Sequence, residues 1–151
     1  MMTEAKADAA AEIRRAAELL GGATVLGRPL CEWFDVHEVL LQGLPGAALG
    51  HLANSLIVTK SWAIAEALGM SRRTLQRRLN TPEKVLRREQ SNQLWAFAYI
   101  VSKATTVLGS QERAETWMAT PCASVRGLRP VDLLGSPVGI DIVENLLECT
   151  G

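Results

Sequence analysis

The chain has 151 residues, with 16 Lys plus Arg balanced by 16 Asp plus Glu and 48% hydrophobic residues. That length supports one core or two small ones, and zero net charge excludes a uniformly basic nucleic-acid coat. No apolar run approaches the roughly 18 residues of a membrane span and the N-terminus lacks an apolar signal core, so a cytosolic protein without membrane contact is expected. The balance hides a separation. Arg72 to Arg88 carries seven positive residues against one acid, Glu83, whereas Val131 to Gly151 carries four acids and no Lys or Arg. One part of the chain suits a polyanion and another does not.

Along the chain, residues Thr3 to Leu20 are alanine-rich helix formers with few apolar anchors, stopped by Gly21 and Gly22. They read as an arm over residues 1–30, either a weak helix or ordered only on binding. "EWFDVHEVLLQGLPGAALGHLANSL" implies two short helices joined at "GLP", with proline tolerated in a first turn. From Thr59 a helix runs to Leu68. Ser71 then caps another, on which Leu75 and Leu79 share a face, and which ends near Asn80. Thr81 and Pro82 read as the N-cap and first residue of a long amphipathic helix from about Pro82 to Leu108, carrying Leu86, Leu94, Phe97, Val101 and Ala104 on one side. A helix from about Glu112 to Met118 follows, then an irregular Gly/Pro-rich stretch. The last segment, "GIDIVENLLECTG", puts Ile140, Val143, Leu146 and Leu147 on one face. No strand alternation is present and the expected fold is all-α. Cys31, Cys122 and Cys149 lack C-x-x-C spacing and a nearby His, which reads as reduced, mostly buried thiols rather than a zinc site or disulfide framework.

The stretch "IAEALGMSRRTLQRRLN", Ile64 to Asn80, carries the sharpest signal. A helix-turn-helix needs a glycine in its turn, a small residue four positions earlier at the helix crossing, and an apolar residue on the second helix to pack on the first. Gly69, Ala65 and Leu75 meet these demands. The second helix then offers Ser71, Arg72, Arg73, Thr74, Gln76, Arg77 and Arg78 to DNA, Arg and Gln being suited to guanine and adenine edges in the major groove.

"GLPGAALGHLANSL", then "SWAIAEALGMSRRTLQRRL", a long helix, "RAETWM", "PCASVRGLRPVDLL" and "GIDIVENLLECTG" follow in an order that resembles the Xre/MbcA/ParS antitoxin family, over about Val36 to Gly151. Cys122 and Val131 stand where the family often has Asn and Leu. The resemblance implies an Xre-like helix-turn-helix bundle followed by a long connecting helix and a small helical toxin-binding domain, here residues 31–84 and 85–151. It implies an antitoxin that covers the active site of a RES-domain, NAD-consuming toxin and represses its own operon at operator DNA. Toxin contact is then expected at Pro121, Arg129, Pro130, Leu133, Ile140, Val143, Glu144, Leu147, Glu148 and the carboxylate of Gly151. The apolar residues would fill a groove while the acids meet cations that otherwise hold nucleotide phosphates. The same apolar face would serve equally to close the domain's own core.

A homodimer within a larger hetero-oligomer is expected, since one helix-turn-helix buries little area on DNA; the long helix is the candidate dimer contact, unless its apolar face is wholly used inside the protomer. No cofactor is expected. An enzyme is disfavoured because His37 and His51 form no acid-base set and "LGGATVLGRP" lacks the Lys-Ser/Thr of a phosphate loop. The alternative is a free-standing repressor whose C-terminal half binds a ligand, with Trp117, Met118 and Cys122 lining a pocket.

Overall fold

The computed structural model describes residues 4–150. Among these the chain forms α1 (Glu4–Leu19), α2 (Gly22–Leu26), α3 (Trp33–Gln42), α4 (Gly46–Ser55), α5 (Ser61–Ala67), α6 (Arg72–Leu79), α7 (Arg88–Leu108), α8 (Gln111–Met118) and α9 (Pro137–Thr150), with 3-10 turns at Ala123–Val125 and Pro130–Leu133. The fold is all-α, as the sequence predicts; the described residues hold two isolated β-bridges and no strand.

Helix α7 is the axis of the molecule. It buries Leu94, Trp95, Phe97, Ala98, Ile100, Val101 and Ala104, and α1, α3, α8 and α9 pack around it. Burial on several sides follows from a helix that is apolar over most of its circumference from Leu94 to Val101. Its apolar face is therefore consumed within the protomer.

The start of α7 also differs from the sequence reading, which begins the helix at Pro82. Residues Pro82–Leu86 instead run beside the entry to α4: Gly46 N–H donates to the Lys84 carbonyl at 2.8 Å, Ala47 N–H to Pro82 at 2.9 Å, and Leu86 N–H to Leu44 at 2.8 Å. The first N–H groups of a helix have no partner inside it, and these carbonyls supply two of them. Helix α7 begins only at Arg88, with the Gln90 side chain accepting the Arg87 N–H. Gly46 is required at this crossing because a Cβ there would press on the carbonyls of Thr81 and Arg78.

The alanine-rich segment is no loose arm among its described residues. Helix α1 lies along α7 with Ile13, Ala16, Ala17 and Leu20 buried. Arg15 donates to the Ser102 carbonyl at 3.2 Å and to the Thr106 hydroxyl at 2.7 Å, and the Ser102 hydroxyl donates to the Glu12 carbonyl at 3.0 Å. Small alanines permit this close approach, which a count of large apolar anchors overlooks. The cysteines are free, and their expected burial is corrected. Cys31 precedes α3 and Cys149 lies on the outer side of α9, both exposed, while Cys122 is half-buried.

Candidate nucleic-acid interface and partner-binding domain

The α5–turn–α6 unit is built as its sequence spacing requires. Gly69 adopts φ +64°, the left-handed conformation that lets the chain reverse within a short turn. Met70 N–H reaches back to the Ala65 carbonyl at 2.9 Å, and Ala65 is buried at the helix crossing. Ser71 caps α6 by accepting the Thr74 N–H at 3.1 Å. Leu75 is buried and Leu79 lies over Gly50, so α6 packs on α4 as well as α5.

Of the predicted DNA-facing residues, Ser71, Arg72, Arg73, Gln76 and Arg77 are exposed, and Thr74 and Arg78 are half-buried on the flank. The Ser71 hydroxyl is engaged by Thr74, and Gln76 donates to Asn80 at 3.2 Å, which adds Asn80 to the exposed polar edge. Electrostatics decide what this surface prefers. Among the described residues, none of Arg72, Arg73, Arg77, Arg78, Lys84, Arg87 and Arg88 is in an ion pair. Cations left without protein counter-charges over one helix and the following loop are suited to phosphates.

In the C-terminal region, α8 is tied to the helix-turn-helix by a buried carboxylate. Glu115 is 2% exposed and accepts the backbone N–H groups of Ile57, Val58 and Thr59, the Thr59 hydroxyl, and the Gln111 amide. Burial pushes this carboxyl up, but the hydrogen bonds from Ile57, Thr59, Gln111 and Val58 outweigh it and hold Glu115 below the ordinary glutamate value. A second tie is Arg129, which grips Asp132 at 2.7 and 3.0 Å and reaches Glu66 of α5 at 2.6 Å. Helix α9 seats against the second 3-10 turn. There Gly139 lies so close to the Leu133 carbonyl that a Cβ has no room, and the Ser136 hydroxyl accepts the Gly139 N–H at 3.0 Å.

Two family models match this chain: the antitoxin Xre-like helix-turn-helix domain over residues 35–99, and the antitoxin Xre/MbcA/ParS C-terminal toxin-binding domain over residues 103–148. A protein named antitoxin Xre from Pseudomonas putida is 25% identical over 114 residues, covering 76% of this chain and 69% of the relative.

The chain belongs to the Xre/MbcA/ParS antitoxin family.

It carries the family's helix-turn-helix and toxin-binding domains, the first and last matches meeting on α7. Within the toxin-binding domain the predicted contact residues divide. Pro121 and Glu148 are exposed. Ile140, Leu133 and Glu144 are half-buried, and Glu144 pairs with Lys103 at 3.0 Å. Val143 and Leu147 are fully buried and Pro130 is buried, so they close the domain's own core. Arg129 is engaged internally with Asp132 and Glu66. Gly151 lies outside the described residues. The face of α9 that remains open carries Val138, 69% exposed, and Ile142, one turn on. Their i, i+4 spacing, on the side away from Val143 and Leu147, is a signal carried by the sequence itself beside the longer apolar stripe. Of the pocket residues in the alternative reading, Met118 is in the core. No helix among the described residues is long and apolar enough to cross a membrane.

Proposed function

We propose that the protein neutralises a cognate RES-type, NAD-consuming toxin through its C-terminal half and represses its own operon by placing α6 in the major groove of operator DNA. The observation that carries this reading is the division of the surface. The α6 region offers cations without protein partners, while α9, in the domain matched as toxin-binding, offers Val138 and Ile142 to another macromolecule. Docking of an apolar helix face into a groove is a recurrent mode of protein recognition, and acids along the same helix, Asp141 and Glu148, favour a cationic rim. On DNA, two copies are expected to read half-sites about one helical turn apart. Their contact lies away from the apolar face of α7, which the protomer has used.

The test is co-expression with the product of the adjoining gene, followed by size-exclusion chromatography, growth measurement and a mobility-shift assay on the upstream DNA. A stable complex, restored growth and a specific shift are expected. A partner that is bound without restoring growth, or one of a different toxin class, overturns the reading.

A further inference from the structure

A cavity of about 430 Å³ opens between α3, α7 and the start of α9. Its size falls in the range of small-molecule sites, roughly 300 to 1,000 Å³. Three aromatic rings form its walls. Trp33 meets Tyr99 edge-on at 5.0 Å and 72°, and Trp95 lies near-parallel to Tyr99 at 6.4 Å and 15°, so the Trp33 ring stands nearly perpendicular to the other two. Trp95 and Tyr99 are buried in the protomer, whereas Trp33 is 47% exposed at the mouth.

The charges around the cavity have one sign. Among the described residues, Glu89 and Glu144 line it and no Lys, Arg or His does. Glu89 is in no ion pair, while Glu144 is paired with Lys103. Behind the wall lies Glu12, whose carboxyl is pushed up chiefly by burial. The surplus negative charge at the cavity is therefore that of Glu89, since the Glu144 carboxylate is matched by the Lys103 ammonium. An aromatic corner with surplus negative charge attracts a cation through both the ring quadrupoles and the carboxylates. An anionic or neutral apolar ligand gains from the rings only by area.

We infer that this cavity binds a small free organic cation of the alkyl- or arylammonium class, held by Trp33, Trp95 and Tyr99 with Glu89 and Glu144 at its ends. The site joins the two matched domains. Trp95 and Tyr99 fall in the helix-turn-helix match, whereas Ile140 and Glu144, on the opposite wall, fall in the toxin-binding match. An occupant therefore bridges them. The inference stands apart from the toxin's identity.

The test is calorimetric titration of the full chain with choline, its neutral isostere 3,3-dimethylbutan-1-ol, and benzyltrimethylammonium, at constant ionic strength set with sodium chloride. Both cations are expected to bind, with choline about tenfold tighter than the neutral isostere. Trp33→Leu keeps part of the apolar bulk but removes the ring, and is expected to weaken choline about fivefold and the isostere by less. Glu89→Gln is expected to weaken both cations. Both substitutions are at exposed positions, and unchanged thermal midpoints would show that the fold survives. Absence of binding by either cation overturns the inference, as does equal binding of choline and its isostere or indifference to Trp33→Leu.

Discussion

Thr59 gives Glu115 two hydrogen bonds, one from its backbone N–H at 2.9 Å and one from its hydroxyl at 2.7 Å, across 56 positions of sequence. Because Ile57 and Val58 turn their N–H groups to the same carboxylate, Glu115 organises the whole entry to α5. Glu115→Ala leaves several buried donors without a partner and is expected to destabilise the protein by about 3 kcal/mol. Glu115→Gln keeps one acceptor oxygen and is expected to cost less. Denaturant midpoints at neutral pH check both, and a change under about 0.5 kcal/mol for alanine would remove Glu115 from its assigned place.

The same carboxylate sets an acid limit on stability. Its folded value lies below the ordinary one of about 4.3, so the unfolded chain takes up the proton first as pH falls. The contribution of Glu115 is complete above that pH and is lost as pH drops through the folded value. Asp35, held down chiefly by the Cys31 N–H, and Asp132, held down chiefly by the Arg129 guanidinium, act in the same direction. The difference in thermal midpoint between the wild type and Glu115→Gln is expected to shrink as the pH falls below the ordinary glutamate value of about 4.3. A difference that stays constant over that range would contradict the assignment.

Arg73 and Arg77 are exposed on α6 and in no ion pair, so replacing them should leave the fold intact and weaken DNA binding. If each meets a phosphate, Arg73→Ala and Arg77→Ala each reduce the slope of log K against log salt by about 0.9. Binding isotherms at several salt concentrations provide the measurement, with Leu75→Ala as a contrast that loses stability by about 3 kcal/mol through cavity formation.

Ile142 and Val143 are adjacent in sequence and opposite in role. Ile142→Asp, on the open face of α9, is expected to abolish capture of the toxin while the thermal midpoint changes little. Val143→Ala, at a position with no exposure, is expected to lower stability by about 2 kcal/mol before it affects binding. Full toxin capture by a folded Ile142→Asp protein would move the contact off this face.

Gly139→Ala requires α9 to shift away from the Leu133 carbonyl, with an expected loss of about 2 kcal/mol from overpacking. A thermal midpoint equal to the wild type would show that the turn yields without cost.

Features set by neighbours in sequence were legible in advance: the Gly69 turn, the Ser71 cap, the Leu75 and Leu79 face, and the exposed arginines of α6. Each depends on spacing within a few residues. What was missed depends on residues distant in the chain. Pro82 carries the mark of a helix start, yet its segment forms a turn whose carbonyls are taken up by the entrance to α4. The alanines of α1 have little individual signal and acquire meaning only against α7. Arg129, read as a partner-facing residue, finds Glu66 at a separation of 63 positions. The apolar stripe of α9 was correctly read as a stripe, but periodicity alone does not distinguish a core behind it from a partner in front of it.

The hydrogen bonds from Gly46 and Ala47 to Lys84 and Pro82 fasten the segment leaving the recognition helix to the first turn of another helix. Reorienting α6 on its own would mean unmaking that turn, and so the helix meets its target with its direction already chosen. Association is then a docking of preformed surfaces, and its heat-capacity change should correspond to the contact area alone, without the additional loss that accompanies a segment folding onto its site.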